Sequence, residues 1–272
     1  MSVTKKKNYL WIASLLLAAL VCTEVGAEEV DDAIQTDRPD FVESSNVVGK
    51  GRFQIETSVG YARDSNREER SRTFSLPTLL RIGFSDNWEF RVESDTWLHQ
   101  RVRERETGDR STERDWSEYA LGLKWHQQDA DDKGSPSVGW LFHVDMPSGA
   151  DSFLTNKFRP SVRMVAEWEL PNDYSLGVMP GMIYDVNDQN DRYIGGMLGV
   201  VLGKSFTDKF RGFIEFGGQE IKRKKDGGSQ LTFDIGVAYL LTDYVQLDAV
   251  YNAGLNRYTP DHTFGLGLSA KF

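Results

Sequence analysis

In WEFRVESD, residues 88–95, charge falls at every second position: Glu89, Arg91, Glu93 and Asp95 share one side of an extended chain, and Trp88, Phe90 and Val92 share the other. Charges at this spacing serve one of two kinds of chemistry. Around a water column they select passing solutes by charge sign; set against one another they brace a narrow structure. On the same alternation Glu56, Arg81, Lys124, Asp145, Arg163, Glu167, Arg211, Glu215, Asp234 and Asp248 also fall on polar faces, together with Glu169, Asp185 and Lys271. Carboxylates outnumber bases in this set, so an open lumen lined by it is expected to favour cations or polar solutes. Conduction and pairing both remain open at this level.

Other chemistry finds less support. The four histidines, His99, His126, His143 and His262, lie outside the His-x-Ser-Asn-Gly pattern of a barrel phospholipase, and the nearest approach, His143 with Ser148, is interrupted by Met146 and Pro147. No HExxH, CxxC, P-loop or GxGxxG signature is present. The acidic QDADDKG lacks the spaced ligands and terminal Glu of a calcium loop. The expectation is a protein that is not an enzyme and uses no cofactor and no metal.

The elements that must position these charges are strands. From residue 52 the apolar pattern has period 2: Phe53, Ile55, Thr57, Val59 and Tyr61 alternate with Gln54, Glu56, Ser58 and Gly60, and about twelve such segments, each near the length that crosses a bilayer, follow from 52–63 to 263–272. Short connections (FSDNW, LPNDY, FTDKF, LTDYV) alternate with long polar ones such as RDSNREERSR and QRVRERETGDRSTERDW. Aromatic residues, among them Trp88, Trp125, Trp168, Tyr174, Phe206, Phe210 and Tyr244, gather where strands meet turns. These features predict an all-β fold: a transmembrane antiparallel up-and-down β-barrel of about 12 strands over 52–272, with short periplasmic turns and longer extracellular loops. A soluble β-sandwich also alternates, but it explains neither the loop asymmetry nor the terminal Phe272, which is expected to act as an assembly signal.

The N-terminus points to export. MSVTKKK, a short apolar run and TEVGA predict a signal peptide over 1–27 cleaved after Ala27. Its loss removes the sole cysteine, Cys22, and shifts the formal charge from −9 to −11, because Lys5, Lys6, Lys7 and Glu24 go with it. That acidic balance argues against nucleic acid as a partner. The expected partners are outer-membrane lipid and lipopolysaccharide, the barrel assembly machinery and a small-molecule solute. Residues 28–51 do not alternate; they form either a periplasmic tail or a plug, in which Thr36, Asp37, Arg38, Pro39, Asp40 and Phe41 enter the barrel from below and narrow it.

IQTDRPDFVESSNVVGKGRFQIETSVGY, at 34–61, resembles the opening of the outer-membrane barrel family labelled "MetA-pathway of phenol degradation", which also includes functional-amyloid secretion channels. The resemblance rests on Thr36, Asp37, Arg38, Pro39, Gly51, Gln54 and Glu56, on HVDMPSGA at 143–150 and on GLNRYTPDHTFGLGLSAKF at the end. It implies the barrel fold, the bacterial outer membrane and passive passage of small solutes, aromatic or hydrophobic compounds among them. Polypeptide secretion and a structural or catalytic barrel are the alternatives. The secretion channels carry an N-terminal coiled-coil domain with no counterpart in this sequence, which weighs against polypeptide export.

Overall fold

A computed structural model describes residues 33–272 apart from 132, 150–156 and 188, so the expected signal peptide lies outside the described residues. Among the described residues fifteen strand segments follow one another: β1 (Phe53–Ser65), β2 (Glu69–Ser75), β3 (Thr78–Ser85), β4 (Trp88–Ser94), β5 (Trp97–Glu104), β6 (Arg110–Trp116), β7 (Tyr119–Gln128), β8 (Ser137–Asp145), β9 (Arg159–Leu170), β10 (Tyr174–Val186), β11 (Arg192–Thr207), β12 (Phe210–Ile221), β13 (Gln230–Thr242), β14 (Val245–Gly254) and β15 (His262–Lys271). Neighbours pair antiparallel, and β15 returns to β1 from Gln54↔Lys271 to Arg63↔His262, which closes the sheet. β1 pairs with both β2 and β3, and β2–β3, β4–β5 and β6–β7 each continue one line. The result is a closed barrel of twelve strands.

Two of the three interruptions have local causes. Pro77 has no N–H to give the ladder, and Thr96 adopts φ 54°, a left-handed conformation. Hydrogen bonds bridge the gaps: Ser58 N donates to Pro77 O at 2.9 Å, Ser117 N to Thr96 O at 2.9 Å, and Ser94 Oγ to Glu118 O at 2.8 Å.

Two predicted loops are strand instead. RDSNREERSR is largely taken up by β1 and β2, and QRVRERETGDRSTERDW by β5 and β6. β6 is exposed along nearly its whole length. Both faces of this hairpin meet water, so no apolar period marks it although backbone pairing continues. The short turns match their chemistry: Asn172 and Asp173 both have positive φ, at 61° and 58°, as a two-residue turn between right-twisted strands requires.

The distribution of side chains is inverted relative to a soluble protein. Leu266, Phe216 and Phe264 are 68%, 58% and 50% exposed, whereas Glu56, Arg81, Glu89, Lys124 and Asp234 are fully buried. Apolar outside and charged inside is the arrangement of a membrane barrel, and it removes the soluble-sandwich alternative. Trp88 stacks on Trp125 with centroids 5.8 Å apart, and Phe206 on Phe210 at 5.6 Å, along the short-turn rim. At the seam Phe272 N donates to Phe53 O at 2.7 Å and Phe53 N to Phe272 O at 3.1 Å.

A closed barrel satisfies all its ladder groups within the sheet and resists detergent at room temperature. The unboiled protein should therefore migrate differently from the boiled one on a detergent gel. Removing Phe272 takes away two closing hydrogen bonds and should lower the yield of the shifted form. An unshifted band in the soluble fraction would contradict the membrane assignment.

Candidate functional site

Residues 34–48 lie inside the barrel. Ile34 N donates to Asp243 O at 2.7 Å at the short-turn rim, and Gly51 N donates to Gly83 O at 2.8 Å where the chain returns to that rim to begin β1. Between these anchors the segment crosses the lumen without regular structure. Each buried N–H there needs an acceptor, and the wall supplies carboxylates. Glu56 accepts from Asp37 N and Arg38 N, both at 3.0 Å. Glu215 accepts from Phe41 N and Val42 N at 2.8 and 2.7 Å, Glu167 from Ser45 N at 2.6 Å, and Glu89 from Val48 N at 2.9 Å.

Wall cations take the segment's carbonyls. Arg81 donates to Gln35 O at 2.8 Å and Asn46 O at 2.9 Å, and Lys124 to Ser44 O at 2.7 Å. Side chains complete the grip. Lys124 lies 2.7 Å and Arg91 2.5 Å from the Asp37 carboxylate; Asp40 pairs with Arg211 at 2.9 Å, Arg38 with Asp248 at 3.3 Å, and Glu43 with Arg91 and Arg163 at 2.6 and 2.7 Å. Burial would raise the Asp37 carboxyl, but Arg81, Lys124 and Arg91 more than offset it and hold it well below the usual carboxylate range.

Apolar contact adds to this. Val42 joins a buried cluster of Leu141, Val165, Met179, Val201 and Phe213, with Phe41 packed against it. Sequence reading missed this cluster, although a signal exists: Leu141, Val165, Met179 and Val201 are apolar residues on strand positions that alternation assigns to the polar face. Two glycines make room for the segment's backbone. A Cβ on Gly83 would fall 1.7 Å from Gly49 O, and one on Gly139 would fall 2.6 Å from Ser45 O.

The expected pore-lining residues separate into groups. Glu56, Arg81, Glu89, Lys124 and Glu215 contact the segment rather than open water. Glu93, Asp95, Asp145, Arg163 and one edge of Arg91 border a cavity of about 680 Å³ toward the long loops; Glu167 and Arg211 border one of about 290 Å³ toward the short turns. Asp234 is buried against Thr232 at 3.0 Å, and Asp248 lies against Arg38. Asp40 touches both cavities, so the segment stands between them. His126 and His143 also point inward, His126 Nδ1 3.2 Å from Ser45 O and His143 Nδ1 2.8 Å from Arg163 Nη2. Glu169 is exposed at the rim.

The family model described as "Putative MetA-pathway of phenol degradation" matches residues 36–272. The chain belongs to this family. No curated protein sequence matches the chain. Among solved structures, an outer membrane channel from Pseudomonas putida F1 is similar with TM-score 0.60 and 11% identity, covering 84% of this chain and 98% of that one. The KdgM porin gives 0.46 and 11%, covering 79% and 99%, and the CymD monoaromatic hydrocarbon channel 0.44 and 8%, covering 82% and 89%. The first of these likenesses shows the fold: that of an outer-membrane barrel.

Two outcomes follow from the grip. Glu215→Ala orphans two buried donors, at about 1–3 kcal/mol each, and should make a cysteine placed at Phe41 react faster with a soluble thiol reagent while the gel shift persists. For Asp37 the folded value is depressed. Its contribution is thus complete above the ordinary carboxylate range and is lost only as pH falls through the depressed value. With each rate divided by that of a free thiol at the same pH, the difference in reagent access between wild type and Asp37→Asn should stay flat from pH 8 to pH 5; a narrowing of that difference would contradict the pairing.

Proposed function

We propose that this protein is an outer-membrane channel for passive passage of small solutes, with residues 34–48 as its constriction. The observation that carries the reading is the segment between two cavities that open toward opposite rims, inside a wall whose inner face is polar. A barrel filled for structural reasons alone has no need of two chambers of about 290 and 680 Å³. The similarity in fold to an outer membrane channel agrees with this role. The family description points to compounds on the way to phenol degradation, so small aromatic molecules are the first solutes to test. The larger cavity carries Glu93, Asp95 and Asp145 alongside Arg163, and its acidic excess favours cations at that mouth.

Single-channel recording in planar bilayers tests the reading. Deleting residues 28–48 should raise conductance several-fold with the gel shift unchanged, and neutralising Glu93, Asp95 and Asp145 together should reduce cation preference. Equal conductance of the full and shortened barrels would remove the constriction. A barrel that folds and stays silent in both forms would remove the channel.

A further inference from the structure

The carboxylate of Asp37 sits in a cradle assembled from three adjacent strands of the wall. Lys124 on β7 donates to Oδ1 at 2.7 Å and to Oδ2 at 2.9 Å, Arg91 on β4 donates to Oδ2 at 2.5 Å, and Arg81 on β3 lies 3.4 Å from Oδ2. Ser44 N completes the set, donating to Oδ1 at 2.9 Å. The three cationic side chains are at most 1% exposed. Arg81 and Arg91 are direct cross-strand partners. Like charges placed opposite each other on neighbouring strands repel, so the arrangement requires anions.

The wall itself supplies too few. Glu56 and Glu89 pair with these cations, at 3.0 Å from Arg81, 2.8 Å from Arg81 and 3.3 Å from Arg91. Within ion-pair distance, three positive groups meet two wall carboxylates, one short at this point. The segment makes up the deficit with Asp37, and Glu43 approaches Arg91 from the same segment at 2.6 Å. Both Asp37 and Arg91 border the larger cavity, so the cradle is next to the chamber that opens toward the long loops. Arg163, on the wall of the same chamber, offers a further cation 2.7 Å from Glu43.

We propose that Arg81, Arg91 and Lys124 form a binding site for the carboxylate of a small organic acid, and that Asp37 of the chain's own N-terminal segment occupies it at rest. Resting on the channel reading, this names a solute class and a way to move the constriction. A carboxylate arriving from the larger cavity competes with Asp37 for the same donors. When it wins, Glu43 and Asp40 remain as the segment's acidic holds on the wall, and the segment loosens. The resident carboxylate is tethered sixteen residues before the start of β1 at Phe53, which gives it an effective concentration on the order of millimolar. Wild-type protein therefore binds a free carboxylate weakly, and removal of Asp37 strengthens binding. The acidic mouth slows the approach of an anion, and the basic cradle sets which functional group is held once it arrives.

Equilibrium binding to the full-length folded barrel in detergent tests this without relying on conduction. The probes are benzoate and its uncharged counterpart of the same shape, benzamide, titrated calorimetrically against wild type, Asp37→Ala and Asp37→Ala with Arg91→Gln. Benzoate should bind Asp37→Ala at least tenfold more tightly than wild type, benzamide should bind neither, and Arg91→Gln should abolish the gain. If Asp37→Ala loses the gel shift, Asp37→Asn, which keeps the shape and removes the charge, is measured in its place. Equal binding of benzoate and benzamide, or no benzoate binding to a folded Asp37 variant, would overturn the site. A silent barrel that still binds benzoate selectively would instead count against the channel reading alone.

Discussion

A chain segment without regular structure inside a barrel leaves its amide hydrogens with no ladder to join, and everything distinctive about this lumen follows from how they are satisfied. Water is largely displaced by the segment itself, and the strands have spent their own backbone groups on each other. Side-chain acceptors are what remain. Glu56, Glu89, Glu167 and Glu215 each turn a carboxylate onto one or two N–H groups of residues 37–48. Each of these bonds satisfies an amide that has no ladder partner, and most of them are buried.

Charge balance then dictates the cations. Buried carboxylates are costly unless paired, and Arg81, Arg91 and Lys124 stand among them, reaching segment carbonyls or side chains. The inner face is thus neither a free ring of charges nor a self-sufficient brace. It is complementary to a particular stretch of main chain. Loss of one member of such a network costs about 3–5 kcal/mol, because its partner is left charged and alone. That cost applies to seating the segment more than to closing the barrel, whose ladder from β1 to β15 does not depend on it.

Much of this was legible in the sequence. Period-2 alternation and turn chemistry located the twelve strands, and parity placed residues such as Glu215 and Asp234 on the inner face. Two things escaped for physical reasons. The hairpin of β5 and β6 carries polar side chains on both faces, so its strands leave no hydrophobic period. The contacts of residues 36–48 join positions far apart in the chain, such as Asp37 with Lys124 and Val42 with Glu215, and no local pattern encodes them. The apolar inward positions Leu141, Val165, Met179 and Val201 were the trace left by the segment: a barrel filled only with water would have little use for them.

The central claim is that residues 34–48 reside in the lumen against the wall. Ser45 Oγ and Ser137 Oγ are 2.7 Å apart, and the chain after Cys22 has no cysteine. A protein carrying Ser45→Cys and Ser137→Cys therefore offers two thiols and no others once the N-terminus is removed. Purified as a folded, heat-modifiable barrel, it should contain an intramolecular disulfide that a reductant opens while the gel shift persists. Two thiols that stay open to alkylation in the folded, unreduced barrel would show that the segment lies elsewhere.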